Sequence, residues 1–202
     1  MKPYNTDQTK KEEVREMFYN IAPRYDLLNH TLSVNIDRIW RRRAVNEVRR
    51  ANPRRILDVA TGTGDLAIAL ARRIRDVQVM GVDLSEEMLA LARRKVEARG
   101  LDSRIVLERG DAEHLEVADA SVDAATVAFG VRNFGDLAAG LRELARTIRP
   151  GGKVVILEFS RPRNRVFRAL YEFYSYKILP RIGGLVSRDK RAYEYLPASV
   201  GE

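Results

Sequence analysis

The segment Asp58-Val59-Ala60-Thr61-Gly62-Thr63-Gly64-Asp65 sets a carboxylate just ahead of a loop of small residues. A loop of this kind, between an apolar strand and an amphipathic helix, lets a ligand approach the backbone and offers helix N–H groups to an anion. With Ala67 it fits the dinucleotide fingerprint G-x-G-x-x-G/A, and Asp83 stands where an acidic residue would hold ribose hydroxyls. A dehydrogenase is therefore one reading. Asp58 argues against it, because a carboxylate beside the loop would repel a pyrophosphate and attract an ammonium. Gly110-Asp111-Ala112 adds a third carboxylate, with a backbone N–H that could read the edge of an adenine. Amine, ribose and base are then addressed in chain order, which suits S-adenosylmethionine better than NAD. Cap and turn roles for the same Asp and Gly residues stay open at this level.

These residues need strand ends to hold them. Apolar residues recur at helical spacing over residues 11–20 and 36–50, so the first fifty residues read as amphipathic helices. From Arg55 strands and helices alternate, the mark of a parallel sheet with helices on both faces. Strands are expected at residues 56–60, 78–82, 104–107, 121–128 and 153–159, the last after the Pro150-Gly151-Gly152 turn. Helices are expected from Leu66 to Ile74, from a Ser85 cap to Gly100, and from Asp136 to Ile148. Beyond Ser160 an aromatic helix, with Phe167, Tyr171, Phe173, Tyr174 and Tyr176, is expected to end near Pro180. We expect a single α/β domain over residues 1–202, with a helical N-terminal cap (1–50), a cofactor-binding core (54–160) and an aromatic, basic segment (161–202).

Composition narrows the chemistry. The 202 residues include no Cys, which removes disulfides, thiolate metal sites and a cysteine nucleophile, and no metal site is expected. The longest apolar runs fall far short of the roughly 20 residues of a membrane-spanning helix, and residues 1–11 show no signal-peptide core. A net charge of +8 points to an anionic partner: nucleic acid, a membrane surface or an acidic small molecule.

The three motifs, in order, resemble those of class I S-adenosylmethionine-dependent methyltransferases, which implies a Rossmann-like fold. Two longer signatures are similar to the ubiquinone/menaquinone biosynthesis C-methyltransferase family (UbiE/MenG-like). One is Tyr25-Asp26-Leu27-Leu28-Asn29 with Leu32-Ser33 and Trp40; the other runs from Arg146 through Arg149-Pro150-Gly151-Gly152 to Glu158-Phe159-Ser160. Phe129-Gly130-Val131-Arg132-Asn133-Phe134, Leu179-Pro180-Arg181-Ile182-Gly183 and Tyr193-Glu194-Tyr195-Leu196 extend the likeness along nearly the whole chain. It departs at Asp37, where the family often has His, and at Ala128, where some relatives have Ser.

The resemblance implies methylation of a ring carbon of a demethylated prenyl quinol, most simply demethylmenaquinol, with the benzoquinol step of ubiquinone biosynthesis as the alternative. The cofactor would be held by Asp58, Gly62, Thr63, Gly64, Asp83, Asp111 and Ala112. Arg132 would stabilise the phenolate, with Asn133 or Tyr25 holding the ring oxygens. Glu158 could accept a proton through water or orient Arg132; His30 and His114 are weaker candidates for the base. The aromatic helix, flanked by Arg161, Arg163, Arg165, Arg168, Lys177 and Arg181, suits a prenyl tail and an anionic membrane, or else core packing. The expected location is the cytoplasm, at the inner face of the cytoplasmic membrane. A homo-oligomer is compatible with the sequence. Nucleic acid is not expected as a partner, because the position after the fourth strand lacks the Asn/Asp-Pro-Pro-aromatic motif of amine methylation. A noncatalytic cofactor-binding protein is the rival from another class. Relatives complete their sheet with two further strands after residues 193–200, so that hairpin is expected to be missing here and the fifth strand to lie at an edge.

Overall fold

The computed structural model describes residues 1–32, 36–160, 164–174, 176 and 189–200. Their contacts divide the chain into two units, Ile36–Glu158 and the pair of segments Met1–Asn35 and Phe159–Glu202.

The first unit is built on β1 (Arg55–Val59), β2 (Gln78–Asp83), β3 (Ile105–Arg109), β4 (Val122–Ala128) and β5 (Ile148–Leu157). All pairings are parallel and the order is β3-β2-β1-β4-β5. This is the doubly wound arrangement expected from the alternation of elements. The central strands read as continuous apolar runs because both faces are covered, and Ile56, Leu57 and Val59 are almost wholly buried. One face packs on α2 (Ile36–Arg49), α3 (Asp65–Arg73) and α4 (Glu86–Glu97) through Val45, Val48, Leu70 and Val96. The other packs on α5 (Leu137–Thr147) through Leu144, with Phe134 beside it. Ser85 caps α4 by accepting from Met88 N at 3.3 Å, as its type predicts.

The last strand departs from expectation. β5 starts at Ile148, because Val122 pairs with Ile148 and Ala124 with Lys153, so Arg149 to Gly152 form a bulge inside the strand. Val154 and Ile156 of this edge strand are exposed.

In the second unit α1 runs from Lys10 to Leu32, well past the expected end at Asn20, with Pro23 in its interior. Proline removes one helical hydrogen bond, but Met17 and Ile21 are buried with Ala192 and Tyr195 of α7 (Lys190–Ser199), and this packing carries the helix through. The residues before α1 wrap the buried Glu13 carboxylate, which accepts from the amides of Tyr4, Asn5 and Thr6 at 2.6, 2.9 and 2.6 Å and from the Thr6 hydroxyl at 2.7 Å. Tyr4 in turn donates its hydroxyl to Asp189, the cap of α7. The aromatic helix is α6, Arg165–Phe173. Val166, Phe173 and Tyr176 are exposed, while Tyr171 and Tyr174 are half-buried. Ser33, Arg161, Arg163, Lys177, Leu179, Pro180, Arg181 and Gly183 lie outside the described residues.

No helix among the described residues is long and apolar enough to cross a membrane.

Candidate active site

The strand order reverses between β1 and β4, and in open α/β sheets ligands bind beyond the carboxyl ends of the strands at such a point. Asp58 lies there. It is opposite Thr126 in the β1–β4 register, and the Thr126 hydroxyl donates to Asp58 Oδ1 at 2.5 Å while the Thr61 hydroxyl donates to Oδ2 at 2.6 Å. The residue is only 1% exposed. Burial pushes its pKa up to about 6; the Thr126 and Thr61 hydroxyls oppose the rise, nearby Asp83 adds to it and Arg41 opposes it. A buried anion of this kind gains from an arriving cation.

Asp83, at the end of β2, shapes the loop directly. Its Oδ2 accepts from Gly62 N at 2.7 Å and its Oδ1 from Ser85 N at 2.9 Å, so one carboxylate ties the glycine loop to the start of α4. Burial raises its pKa against those amide bonds. Gly62 has φ +57, the left-handed region glycine enters freely, and a Cβ built there meets nothing within 4 Å. The loop therefore has open space beside its backbone. Thr63 is buried and accepts from Lys95 Nζ at 3.1 Å, and Lys95 also pairs with Asp65 at the start of α3. At the end of β3, Asp111 Oδ1 accepts from Glu113 N at 3.0 Å, and Gly110 N donates to Asp83 O at 3.0 Å. The β2 and β3 ends are thereby joined, with Ala112 half-buried beside them.

Beyond β4 the chain turns sharply. Phe129 has φ +59, and a Cβ on Gly130 would lie 2.6 Å from the Ala60 Cβ, so the chain after β4 passes hard against the end of β1. The short 3-10 turn Val131–Asn133 follows, with Asn133 N donating to Gly130 O at 2.9 Å. Arg132 is largely buried and ion-paired with Glu158. Glu158 thus contacts Arg132 directly.

Several contributors were not singled out from sequence. Thr126 is one. Arg41 is another: it pairs with Asp37, lies 3.5 Å from Asp65 and stands over the Phe129 ring at 5.9 Å from its centroid. Asp37, the departure from the family signature, is buried as the partner of Arg41. Trp40 packs at 6.3 Å from the same Phe129 ring. Tyr25 belongs to the other unit, on α1, where its ring meets Phe18 edge-on at 5.7 Å. His30 falls near the end of α1 and its side chain lies outside the described residues; His114 is exposed.

The residues present fit S-adenosylmethionine. Carboxylates stand at the ends of β1, β2 and β3, beside an open glycine loop.

Solved structures share the fold. The cyclase SpnF superposes with a TM-score of 0.67 at 22% identity, over 82% of this chain and 66% of its own. A SAM dependent methyltransferase from Aquifex aeolicus superposes with a TM-score of 0.51 at 23% identity, over 67% and 70%. Sequence relatives are nearer. The demethylmenaquinone methyltransferase of Deinococcus radiodurans is 51% identical over 98% of this chain and 81% of its own length. That of Bacteroides fragilis is 46% identical over 99% and 82%. The ubiquinone/menaquinone biosynthesis C-methyltransferase UbiE of Geotalea daltonii is 51% identical over 96% and 82%. A family model covers residues 6–202, and with these relatives it shows that the chain belongs to the ubiE/COQ5 methyltransferase family.

Proposed function

We propose that this protein methylates a ring carbon of a demethylated prenyl quinol, that S-adenosylmethionine is the methyl donor, and that demethylmenaquinol is the acceptor. The observation that carries the acceptor is the near full-length likeness to two relatives named for demethylmenaquinone. When bound, S-adenosylmethionine would supply an electrophilic methyl group, its sulfur keeping the electron pair of the broken C–S bond, and the methylated ring carbon would give up its proton as the ring regains aromaticity.

The chain's own residues have to make the ring carbon nucleophilic. A phenolic hydroxyl ionises near pKa 10 in water, about three units above neutrality, so the protein must favour the phenolate. Arg132 does this by placing a guanidinium in a largely buried site, where its charge is less screened than in water. Glu158 aims that guanidinium and keeps its fork in one orientation. Asn133 is a hydrogen-bonding candidate for the ring oxygens. Asp58 would meet the ligand ammonium, Asp83 the ribose, and Asp111 with Ala112 the adenine.

The protein would work at the inner face of the cytoplasmic membrane, where prenyl quinols reside. Exposed Val166, Phe173 and Tyr176 stand with exposed Arg165 and Arg168, a combination suited to an anionic bilayer. Flotation with anionic liposomes should show salt-sensitive binding, and no binding at any ionic strength would exclude this contact.

The benzoquinol step of ubiquinone biosynthesis is the second reading, favoured by the name of the Geotalea relative. Incubation with methyl-labelled S-adenosylmethionine and either demethylmenaquinol, its benzoquinol counterpart or total RNA separates the possibilities by mass spectrometry. Label in menaquinol supports the proposal; label in RNA alone overturns it.

A further inference from the structure

The ligand reading leaves one charge unmatched. Asp58 and Asp83 set two carboxylates beyond β1 and β2, which suits an ammonium and a sulfonium but opposes the carboxylate that an amino acid also carries. A cation can add to what the loop amides offer that carboxylate. Two stand near the glycine loop. Lys95 donates to the Thr63 hydroxyl and pairs closely with Asp65, so it neutralises the carboxylate at the start of α3. Arg41 is held differently. Asp37, one helical turn earlier and almost wholly buried, takes one part of its guanidinium, and Asp65 is reached only at 3.5 Å. The guanidinium carbon lies over the Phe129 ring, immediately after β4, and the charge is near enough to Asp58 to oppose the rise in that group's pKa.

Arg41 therefore stands at the switch point between β1 and β4, with five N–H donors in a planar fork and a buried partner that fixes its direction. We infer that Arg41 receives the carboxylate of the ligand's amino-acid end, with Asp37 as its positioning residue. The assignment deepens the cofactor reading above and rests on it. Ammonium and carboxylate would then be separated between Asp58 and Arg41, and the loosely held Asp65 contact is the one that the ligand carboxylate replaces. Lys95 keeps Asp65 neutralised when that exchange occurs. Arginine suits the task better than lysine, because its fork can hold Asp37 and a second carboxylate at once.

The test compares two probes, S-adenosylmethionine and decarboxylated S-adenosylmethionine, by calorimetry on the full chain. Arg41→Gln should weaken S-adenosylmethionine about 10- to 100-fold while changing the decarboxylated probe by less than about threefold, the loss of one charged hydrogen-bonding partner. Because Arg41→Gln alone strands the buried Asp37, the double variant Asp37→Asn/Arg41→Gln is measured beside it and should show the same selective loss. An equal loss for both probes in the double variant, or no loss for S-adenosylmethionine in either variant, overturns the assignment. Wild-type protein that binds neither probe overturns the cofactor reading, and this inference with it. Wild-type protein that binds both, with no selective loss in the variants, overturns Arg41 alone.

Discussion

Arg132, in the short turn after β4, is ion-paired with Glu158 at the end of β5, and both side chains are largely buried. The pair joins two neighbouring strand ends beyond the sheet, on the side where the glycine loop lies. An arginine anchored this way keeps its position without a ligand. That is what preorganised electrostatic stabilisation requires.

Arg132→Ala should leave S-adenosylmethionine affinity within about threefold of wild type while lowering kcat on demethylmenaquinol by about 100-fold or more, the scale of a lost electrostatic donor. Glu158→Gln should reduce kcat less, because a neutral amide still bonds the guanidinium but no longer fixes it. If Glu158 were instead the proton acceptor, Glu158→Gln would be as damaging as Arg132→Ala. Calorimetry with steady-state kinetics on both variants decides. Removing one partner of a partly buried pair should also cost about 2–3 kcal/mol of stability, so thermal melts accompany the assays.

Asp83 should be sensitive for two reasons. It accepts from Gly62 N and Ser85 N, so Asp83→Ala frees the glycine loop as well as removing a ribose partner. We expect at least about tenfold weaker S-adenosylmethionine binding, from charged hydrogen bonds that each contribute about 1.5–3 kcal/mol. Asp83→Asn can accept at only one atom, so its affinity should fall between wild type and alanine. Unchanged affinity for Asp83→Ala by calorimetry would remove this residue from the site.

How much of this was legible in the sequence depends on how local each signal is. The glycine loop, Asp58 and Asp83 were readable because strand, loop and helix follow one another within a few residues. The Ser85 cap was readable for the same reason. Thr126 was not: a threonine in an apolar strand gains its meaning only when the β1–β4 register sets it opposite Asp58. Arg41 was hidden among the many arginines of α2, and only packing against Phe129 distinguishes it from the rest; Asp37 stood out as a departure from the family signature, but not as the partner of Arg41. The start of β5 was missed because Pro150 and two glycines read as a turn, whereas the pairing continues across them as a bulge. The length of α1 was not legible either, since its apolar spacing was read only to Asn20 and the helix continues through Pro23 on the burial of Met17 and Ile21.

The close approach of Gly130 to Ala60 gives a stability prediction with a built-in rescue. A Cβ on Gly130 would lie 2.6 Å from Ala60 Cβ, too close for either backbone to keep its place. Gly130→Ala should therefore destabilise the protein by about 1–3 kcal/mol, as overpacking does, and should disturb the turn that carries Arg132. Ala60 has φ +54, a conformation that costs a residue with a Cβ about 1 kcal/mol. Ala60→Gly removes both the clash and that strain. The double variant Ala60→Gly/Gly130→Ala should recover most of the lost Tm, and failure to recover it would mean that the clash is not the cause.

Asp58 sets stability against binding. Burial pushes its carboxyl up to about 6 in the folded protein, against an ordinary value of 3.8. Between these values the unfolded chain has released the proton while the folded protein still holds it, so this group's contribution to stability falls as pH rises from about 4 to about 6 and stays low above. The cost at neutral pH is on the order of 3 kcal/mol. Asp58→Asn keeps the shape and can still meet the Thr61 and Thr126 hydroxyls, yet carries no buried charge. The variant should melt several degrees higher than wild type at pH 7–8, since about 1 kcal/mol moves Tm by roughly 2–4 °C at this size, and the gap should close below about pH 4, where the wild-type carboxyl is protonated in both states. The same change should weaken S-adenosylmethionine, because the ammonium loses its buried counter-charge. A variant that is both more stable and an equally tight binder would mean that Asp58 serves only the loop, through Thr61. Melts across pH 4–8, paired with calorimetry at pH 8, separate the two outcomes.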